Sequence, residues 1–455
     1  MNHHVKTIVI SFDGLGTPDW EIMLQKPAFK AFMKQAAYCS RVRTVYPSLT
    51  YAAHASISTG LFPKRHGVVS NNLLQPLFLN HQDWYWYDWN IHGKTFYHAA
   101  KEKGMSVASF FWPVTSGADL DYNIPEIFAN RIWRNQIAIS LRYGTPKLVL
   151  EMVGRYGKYL LHGMDQPWLD TFTHRSATRT MKKYEPDLTL LHYVDLDHMR
   201  HLHGHDSKEA MEALDRLDQR LHDWLTLMKG EPVNWVILGD HSSIDESKAI
   251  RVNQLLAENG YLTPLGHQRV LRYKVIAQQA GGSCYLYGDK KYEAQVRALL
   301  EKLSAENGGC IECIFSAEEA AAMGADPNCL LMLEAAEGYL FQNEMLPPVV
   351  FDSQDPGKGL SEKERKLRQP KIEVATHGYS PDKPGYTTVF AMRQTGDLTG
   401  REKLAKGEVA ASMCLVDEGP TIARLLGTSL PDADGRVMTE FFDCFHGQCL
   451  VKSPK

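Results

Sequence analysis

Thr7-Ile-Val-Ile-Ser-Phe12, followed at once by Asp13-Gly14, is the stretch that decides the fold of this chain. β-Branched and aromatic residues dominate the run, a composition that is typical of a buried β-strand. Three more apolar runs end in polar residues, and long runs of this type are typical of parallel strands that are covered on both faces. These runs are 187–194, 234–239 and 387–392.

Helical patterns separate the apolar runs. The clearest extends from Glu209 to Met228 and repeats leucine or methionine every three or four residues, as the apolar face of a packed helix does. Strands that alternate with helices predict a doubly wound α/β fold, in which helices flank a mostly parallel sheet. In such folds the active site lies beyond the carboxyl ends of the strands.

The size of the chain allows one large domain with insertions, or two domains. It has 455 residues, of which 44% are hydrophobic. We predict a single catalytic domain over residues 1–455. Residues 120–185 are rich in Tyr, Trp, Arg and His with weak strand signals, so we expect a helical cap there. Residues 267–345 combine short strands with a helix, which predicts a small α+β lobe.

Charge and hydropathy exclude several classes of partner. With 50 basic and 53 acidic residues the formal net charge is −3, which does not indicate a nucleic-acid-binding surface. A phosphorylated small molecule, including a nucleotide, stays a candidate substrate. The chain has no run of about 18 apolar residues, so we expect no membrane span and no membrane partner. Residues 1–12 lack the pattern of a secretory signal peptide, which favours a cytoplasmic location. The composition leaves the oligomeric state open.

The chain has 8 cysteines, scattered along its length. Because no export signal is evident, we expect free thiols. Cys310 and Cys313 form a lone CxxC pair. A zinc knuckle needs a second pair at similar spacing, so we interpret this pair as an ordinary structural one.

Carboxylate and imidazole side chains gather where the predicted strands end. Their oxygens and nitrogens suit zinc, and three aspartates with three histidines are too many for one ion but suit two. Taken singly, an aspartate at a strand end is more often a helix N-cap. Because such residues recur at several strand ends, we interpret them together as a two-metal site, which suits phosphoryl transfer. The residues are Asp13, Asp197, His201, Asp240, His241 and His377.

The segment from Tyr46 to Gly67, YPSLTYAAHASISTGLFPKRHG, carries the most specific pattern. It resembles the nucleophile segment of the nucleotide pyrophosphatase/phosphodiesterase family, in the alkaline phosphatase superfamily, which reads roughly PTxTFPNH and then TGLYPxxHG. Residues 93–113 resemble the helix and strand that follow in that family, and residues 416–435 resemble a C-terminal stretch of the superfamily. The matching positions are Pro47, Thr50, His54, Thr59, Gly60, Leu61, Pro63, His66 and Gly67.

The resemblance implies an alkaline phosphatase-like fold with Thr50 as the nucleophile. Metal coordination lowers the pKa of a hydroxyl, so Thr50 would attack phosphorus and form a phosphothreonine intermediate. We therefore predict a metal-dependent phosphodiesterase or nucleotide pyrophosphatase that acts on a small phosphate ester with two zinc ions per chain. By this resemblance, one zinc ion would be bound by Asp13, Thr50, Asp240 and His241, and the other by Asp197, His201 and His377.

One departure from the family pattern matters for the chemistry, and it comes directly after Ala52, which stands where the family usually has proline. Ala53 stands where the family has an asparagine that donates a hydrogen bond to a phosphate oxygen. Such a donor is worth roughly 3 kcal/mol in a transition state. We expect another group, such as Asn71, to replace it in binding the substrate.

Two further sets of residues near the motifs admit alternatives. His203 and His205 could enlarge the metal site, but we favour solvent-facing or supporting roles. The aromatic residues 84–87 and Trp89 could stack on a nucleobase, but they more often pack a cap against a core.

Other functions on the same scaffold stay open. A phosphomonoesterase, a phosphonate hydrolase or a phosphomutase would fit, although no additional positive group for a dianionic phosphate is evident. A sulfatase fits less well, because Thr50 does not lie in a Cys/Ser-x-Pro-x-Arg pattern. A catalytically weak binding protein with structural metals is the alternative from another class, and the presence of all the site positions argues against it.

Overall fold

The computed structural model describes residues 4–79, 81–131, 133–368 and 372–443. Within them the strands are β1 Lys6–Phe12, β2 Ala37–Arg43, β3 Val107–Phe110, β4 Tyr122–Ile124, β5 Leu188–Tyr193, β6 Val233–Leu238, β7 Ile244–Ile250, β8 Leu262–Pro264, β9 Val270–Tyr273, β10 Val275–Ala280, β11 Ser283–Gly288, β12 Ile311–Ser316, β13 Leu331–Ala335, β14 Gly338–Phe341, β15 Val350–Asp352, β16 Ala375–Thr376, β17 Thr388–Thr395, β18 Gly407–Glu408 and β19 Met413–Cys414.

The α-helices of the same residues are α1 Trp20–Met23, α2 Pro27–Met33, α3 Thr50–Thr59, α4 Pro63–His66, α5 Phe96–Glu102, α6 Gln136–Tyr143, α7 Pro146–Tyr156, α8 Trp168–Tyr184, α9 Asp195–His203, α10 Lys208–Leu227, α11 Val252–Glu258, α12 Glu293–Glu306, α13 Ala317–Ala322, α14 Glu362–Arg368 and α15 Glu418–Leu425.

A nine-stranded sheet forms the centre of the fold. Its order is β18-β2-β17-β6-β1-β5-β3-β4, and β19 also pairs with β2. β1 lies between β5 and β6 and runs parallel to both. β3 and β4 continue the sheet in the same direction. The prediction of a doubly wound α/β fold with a mostly parallel sheet is confirmed.

One central strand runs in the opposite direction. The apolar run at 387–392 forms β17, but β17 is antiparallel to β2 and to β6, so the parallel direction expected for it is wrong. The chain enters β17 at the carboxyl edge of the sheet, where Thr17 N donates to Thr387 O. A strand that begins at this edge has to run away from it.

The two faces of the sheet are covered by different helices. Successive residues of a strand point to opposite faces. Ile8, Ile10 and Phe12 therefore pack with helices such as α2, α8 and α10, whereas Val9 packs in a separate cluster with α3, α5 and α15. Both faces of β1 are thus removed from water, which explains why its sequence is almost entirely apolar.

The structure also describes the two regions that the sequence predicts as additions to the core. In the first, β10 to β13 form an antiparallel sheet in the order β10-β11-β13-β12, with Cys310 buried beside it. Cys310 and Cys313 are free thiols, while Cys444 and Cys449 lie outside the described residues. In the second, α7 and α8 pack part of their length onto the central sheet. The division into a catalytic domain, a cap and a lobe stays a prediction.

No helix of the described ranges combines the length and the apolar character that crossing a membrane requires.

We predict that Asp218 stabilises the fold by capping α2 from α10. Its two carboxylate oxygens accept hydrogen bonds from Ala28 N (3.2 Å) and Phe29 N (2.8 Å). Asp218→Ala should lower the free energy of unfolding by about 1–3 kcal/mol, because two buried amide groups lose their partner. Urea denaturation measures this change. Asp215→Ala, one turn earlier on α10, removes a surface ion pair with Lys26 and should cost less than about 1 kcal/mol. Equal costs for the two variants would contradict the capping role.

Candidate metal centre

The site residues lie where the strands end, as the topology requires. Asp13 follows β1, Asp240 and His241 follow β6, and α9 begins directly after β5. The structure brings two sets of ligand atoms together, and within each set the atoms lie within 4.8 Å of one another. One set is Asp13, Asp240 and His241, and the other is Asp197, His201 and His377.

The first set has the spacing of ligands around one tetrahedral ion. His241 Nε2 lies 3.1 Å from Thr50 Oγ1, 3.2 Å from Asp13 Oδ1 and 3.5 Å from Asp240 Oδ2. Ligands that are each about 2.0 Å from a tetrahedral zinc ion lie about 3.3 Å apart. Thr50 Oγ1 therefore lies from His241 Nε2 at about the distance that separates two ligands of one ion.

Lone pairs of the nitrogen and oxygen atoms in the first set face one another. His241 Nδ1 donates to Ser242 O (3.2 Å), which leaves Nε2 as a lone pair facing the carboxylates when the ring is neutral. Asp13 Oδ1 and Asp240 Oδ2 are buried and accept no hydrogen bond from any described residue. Because converging lone pairs repel unless a cation lies between them, this arrangement fits a bound metal ion.

In the second set, His377 is oriented in the same manner as His241. His377 Nδ1 donates to Ser48 O (3.1 Å), so its Nε2 is available as a ligand. Asp197 and His201 are one helical turn apart on α9, with Asp197 Oδ2 and His201 Nε2 separated by 3.4 Å. The described structure provides Asp197 Oδ1 with no hydrogen-bond donor although it is buried. The donors present therefore suit a second cation.

The carboxylates of the site stabilise the positively charged, protonated form of the neighbouring histidines. Burial, aided by Asp197, raises the pKa of Asp13 to about 6. Burial lowers the pKa of His241, but Asp240 and Asp13 outweigh this effect and raise it to about 9. Asp197 likewise outweighs the burial of His201, whose pKa rises to about 10. Protons on these histidines offset the carboxylates in the absence of metal, and a metal ion bound by the same atoms would displace them.

Thr50 is the first residue of α3, and Ala53 and Asn71 lie close to it in different surroundings. Ala53 is fully buried in an apolar cluster that also includes Ala52 and Ile57 of the same helix. Asn71 Oδ1 instead accepts a hydrogen bond from Tyr51 N (2.9 Å). This bond holds the Asn71 amide group next to the helix N-terminus that carries Thr50.

Two buried histidines support the site and were not assigned a role from the sequence. His192 Nε2 donates to Asp13 Oδ2 (3.1 Å), and His54 Nδ1 donates to Thr50 O (2.8 Å). The hydroxyl of Ser11 lies 3.2 Å from His192 Nδ1 and 2.9 Å from His54 Nε2, and so connects the two rings. Burial lowers the pKa of His54 to about 3 and that of His192 to about 4, so both are neutral at pH 7. A histidine within an apolar strand, as at 192, was the signal that could have revealed this network.

The residues with open alternatives lie outside the ligand sets. His203 is exposed, and His205 Nδ1 contacts Ser243 Oγ at 2.9 Å. Tyr87 stacks on Trp89 with ring centroids 4.3 Å apart. In this structure these aromatic residues pack against one another.

Most of the chain matches a known protein family, as its motifs suggest. The model of the type I phosphodiesterase/nucleotide pyrophosphatase family matches residues 7–380, which confirms the predicted resemblance. Venom phosphodiesterase 2 of Crotalus adamanteus is 26% identical over 251 residues, which cover 51% of this chain and 26% of that protein. Human ectonucleotide pyrophosphatase/phosphodiesterase family member 5 is 23% identical over 274 residues, or 56% of this chain and 49% of that protein. The aligned part of the chain thus spans from about a quarter to about half of these relatives.

Solved structures share the fold over almost the whole chain. Murine ectonucleotide pyrophosphatase/phosphodiesterase 5 has a TM-score of 0.63 at 17% identity, covering 96% of this chain and 100% of that one. The human protein has a TM-score of 0.64 at 16% identity. The murine protein has also been solved as an inactive variant in complex with AMP. This likeness confirms the alkaline phosphatase-like α/β fold.

We predict that metal binding stabilises the native protein. After treatment with a chelator, added zinc should raise Tm, because an ion that binds the folded state alone stabilises it by about 2.7 kcal/mol at about 100 times its Kd. Differential scanning fluorimetry measures the shift. His377→Ala should reduce the shift, whereas His203→Ala, which removes an exposed imidazole nearby, should not. An unchanged Tm on chelation and on zinc addition would show that these atoms bind no metal.

Proposed function

We propose that this chain, which belongs to the type I phosphodiesterase/nucleotide pyrophosphatase family, hydrolyses phosphate diesters with Thr50 as the nucleophile at a two-zinc site. One observation carries the proposal. Thr50 Oγ1 lies 3.1 Å from His241 Nε2, inside the first set of ligand atoms and at the N-terminus of a ten-residue helix. A hydroxyl in this place is next to metal ligands and next to backbone N–H groups that favour a phosphate.

The two ligand sets define the proposed metal positions. Both sets present the mixture of carboxylate oxygen and imidazole nitrogen that zinc prefers. Bound zinc ions would lower the pKa of the Thr50 hydroxyl and stabilise charge on the leaving oxygen. The proposed ligands are Asp13, Thr50, Asp240 and His241 for one ion, and Asp197, His201 and His377 for the other.

The chain's own residues then carry out the reaction in two steps. Thr50 Oγ1, having lost its proton, forms a bond to phosphorus as the bond from phosphorus to the leaving alkoxide breaks. The alkoxide takes up a proton, and the second ester group stays on the phosphorus of the phosphothreonine. Water then attacks the same phosphorus and releases Thr50 and a phosphate monoester. Asn71 would donate its amide N–H to a phosphate oxygen, and the support is that its Oδ1 accepts a hydrogen bond from Tyr51 N, at the helix N-terminus that carries Thr50. It would take the part of the donor that Ala53 cannot provide.

The charge of the site favours a diester over a monoester. Asp13 pairs with His192 and His241, Asp197 pairs with His201, and Asp240 pairs with His54 and His241. These partners are histidines rather than lysine or arginine. A diester carries one negative charge and a monoester two, so the diester needs less additional positive charge.

A nucleotide derivative is the substrate class that we propose first. The support is the similarity to proteins whose names describe nucleotide pyrophosphatases, together with the AMP complex of the murine protein. The cytoplasmic location stays a prediction, and it would direct the search to intracellular diesters.

We predict that bis(p-nitrophenyl) phosphate is cleaved faster than p-nitrophenyl phosphate by the zinc-loaded protein. The physical reason is the lower charge of the diester in a site whose carboxylates pair with histidines. Measuring kcat/KM for both esters, with a phosphonate ester and a sulfate ester in parallel, decides the matter. A higher kcat/KM for the monoester would assign the protein to the phosphomonoesterase alternative.

We predict that Thr50→Ala abolishes turnover while the fold and the metals are retained. The barrier should rise by about 5 kcal/mol or more, because the covalent step is lost. Thr50→Ser should keep partial activity, since a hydroxyl stays in place. Thr59→Ala removes a buried threonine hydroxyl at the other end of α3 and serves as the matched control. Elemental analysis should give two zinc ions per chain for the parent and all three variants. Near-normal turnover by the zinc-loaded Ala variant would refute Thr50 as the nucleophile.

A further inference from the structure

Residues 142–183 carry a charge opposite to that of the whole chain. They contain eight lysine and arginine residues against three aspartate and glutamate residues, a formal charge of +5 in a chain of −3. One of the three acids, Glu151, is approached by Arg155, Arg179 and Lys183 together. The positive charge of this segment therefore exceeds what its own carboxylates offset.

The same segment exposes apolar side chains. Leu150 and Val153 lie one turn apart on α7, with 59% and 37% of their surface exposed. A 3-10 helix, Gly157–His162, follows α7 directly and exposes 86% of Leu161, and Met164 comes just after it. Such exposure costs free energy in water unless a partner covers it. We call these side chains, with the exposed Lys147, Arg155 and Lys158 that flank them, the α7 surface.

The segment that exposes these side chains is held in place by ring stacking. Trp168, at the start of α8, stacks on His162 with centroids 4.4 Å apart and on Tyr159 with centroids 6.2 Å apart. These contacts fix the end of the 3-10 helix against α8. Leu161 is therefore presented on a supported turn.

We propose that the α7 surface docks on an anionic phospholipid membrane. Apolar side chains of this kind enter the headgroup region, while lysine and arginine place their charged ends among lipid phosphates. A second copy of the chain is a poorer occupant, because a two-fold contact would bring the same positive surface against itself. The proposal goes beyond the hydrolase function, and it replaces the sequence-based expectation of no membrane partner with peripheral attachment.

Sedimentation with lipid vesicles tests the proposal. The full chain should bind vesicles of phosphatidylglycerol and phosphatidylcholine in equal parts and not vesicles of phosphatidylcholine alone, and salt should weaken binding. Leu161→Ser with Met164→Ser, and separately Lys147→Glu with Lys158→Glu, should each weaken binding at least about tenfold.

Matched variants away from the α7 surface serve as controls. Leu265→Ser with Leu271→Ser removes exposed leucines elsewhere, and Lys290→Glu with Lys302→Glu reverses exposed lysines elsewhere. These controls should bind as the parent does.

Equal binding by all variants, or equal binding to neutral vesicles, would overturn the proposal. So would a change of oligomeric state in size-exclusion chromatography without a change in vesicle binding, which would assign the surface to a second copy. The assay needs no turnover, so its outcome is independent of whether Thr50 acts as the nucleophile.

Discussion

Mutual repulsion among Asp13, Asp197 and Asp240 is the constraint on which the rest of this structure depends. Two buried carboxylates and a third that is half-buried cannot all stay ionised at one edge of a sheet without positive charge close by. The fold meets the demand with imidazoles, which can carry a proton or bind a metal ion. His241 accordingly pairs with Asp13 and Asp240, and His201 pairs with Asp197.

The same demand shapes the topology around the sheet. His377 has to reach the carboxyl edge from a point in the chain far from Asp197, and Ser48 O fixes its ring when it arrives. The strand that follows, β17, begins at this edge and can only run away from it. β17 is therefore antiparallel to β2 and to β6. Binding chemistry and strand direction are therefore two results of one requirement.

Sequence patterns predicted the parts of the fold that depend on local composition. The runs at 7–12, 187–194 and 234–239 became β1, β5 and β6 within a residue or so at each end, because long apolar runs signal buried strands directly. The direction of β17 could not be predicted, since an apolar run has the same composition whichever way it crosses the sheet.

The candidate site also has features that the sequence predicts and features that it does not. The candidate ligand residues could be predicted from the sequence, because parallel strands end at a common edge of the sheet. The burial of Ala53 and the hydrogen bond from Tyr51 N to Asn71 depend on which face of α3 packs against the sheet. The spacing of residues in the sequence does not determine this face. His192 was overlooked because its neighbours in β5 are apolar, and its role arises through Asp13 on another strand.

The place of β17 in the sheet also determines how late in synthesis its neighbouring strands can be paired. Each strand that pairs with β2 in the described structure, namely β17, β18 and β19, comes from after residue 387. While the ribosome is still adding the middle of the protein, β2 therefore has none of these partners, and one edge of β6 stays open. Unpaired strand edges invite association between chains. The nascent polypeptide therefore exposes these strand edges to other chains until its last strands emerge from the ribosome.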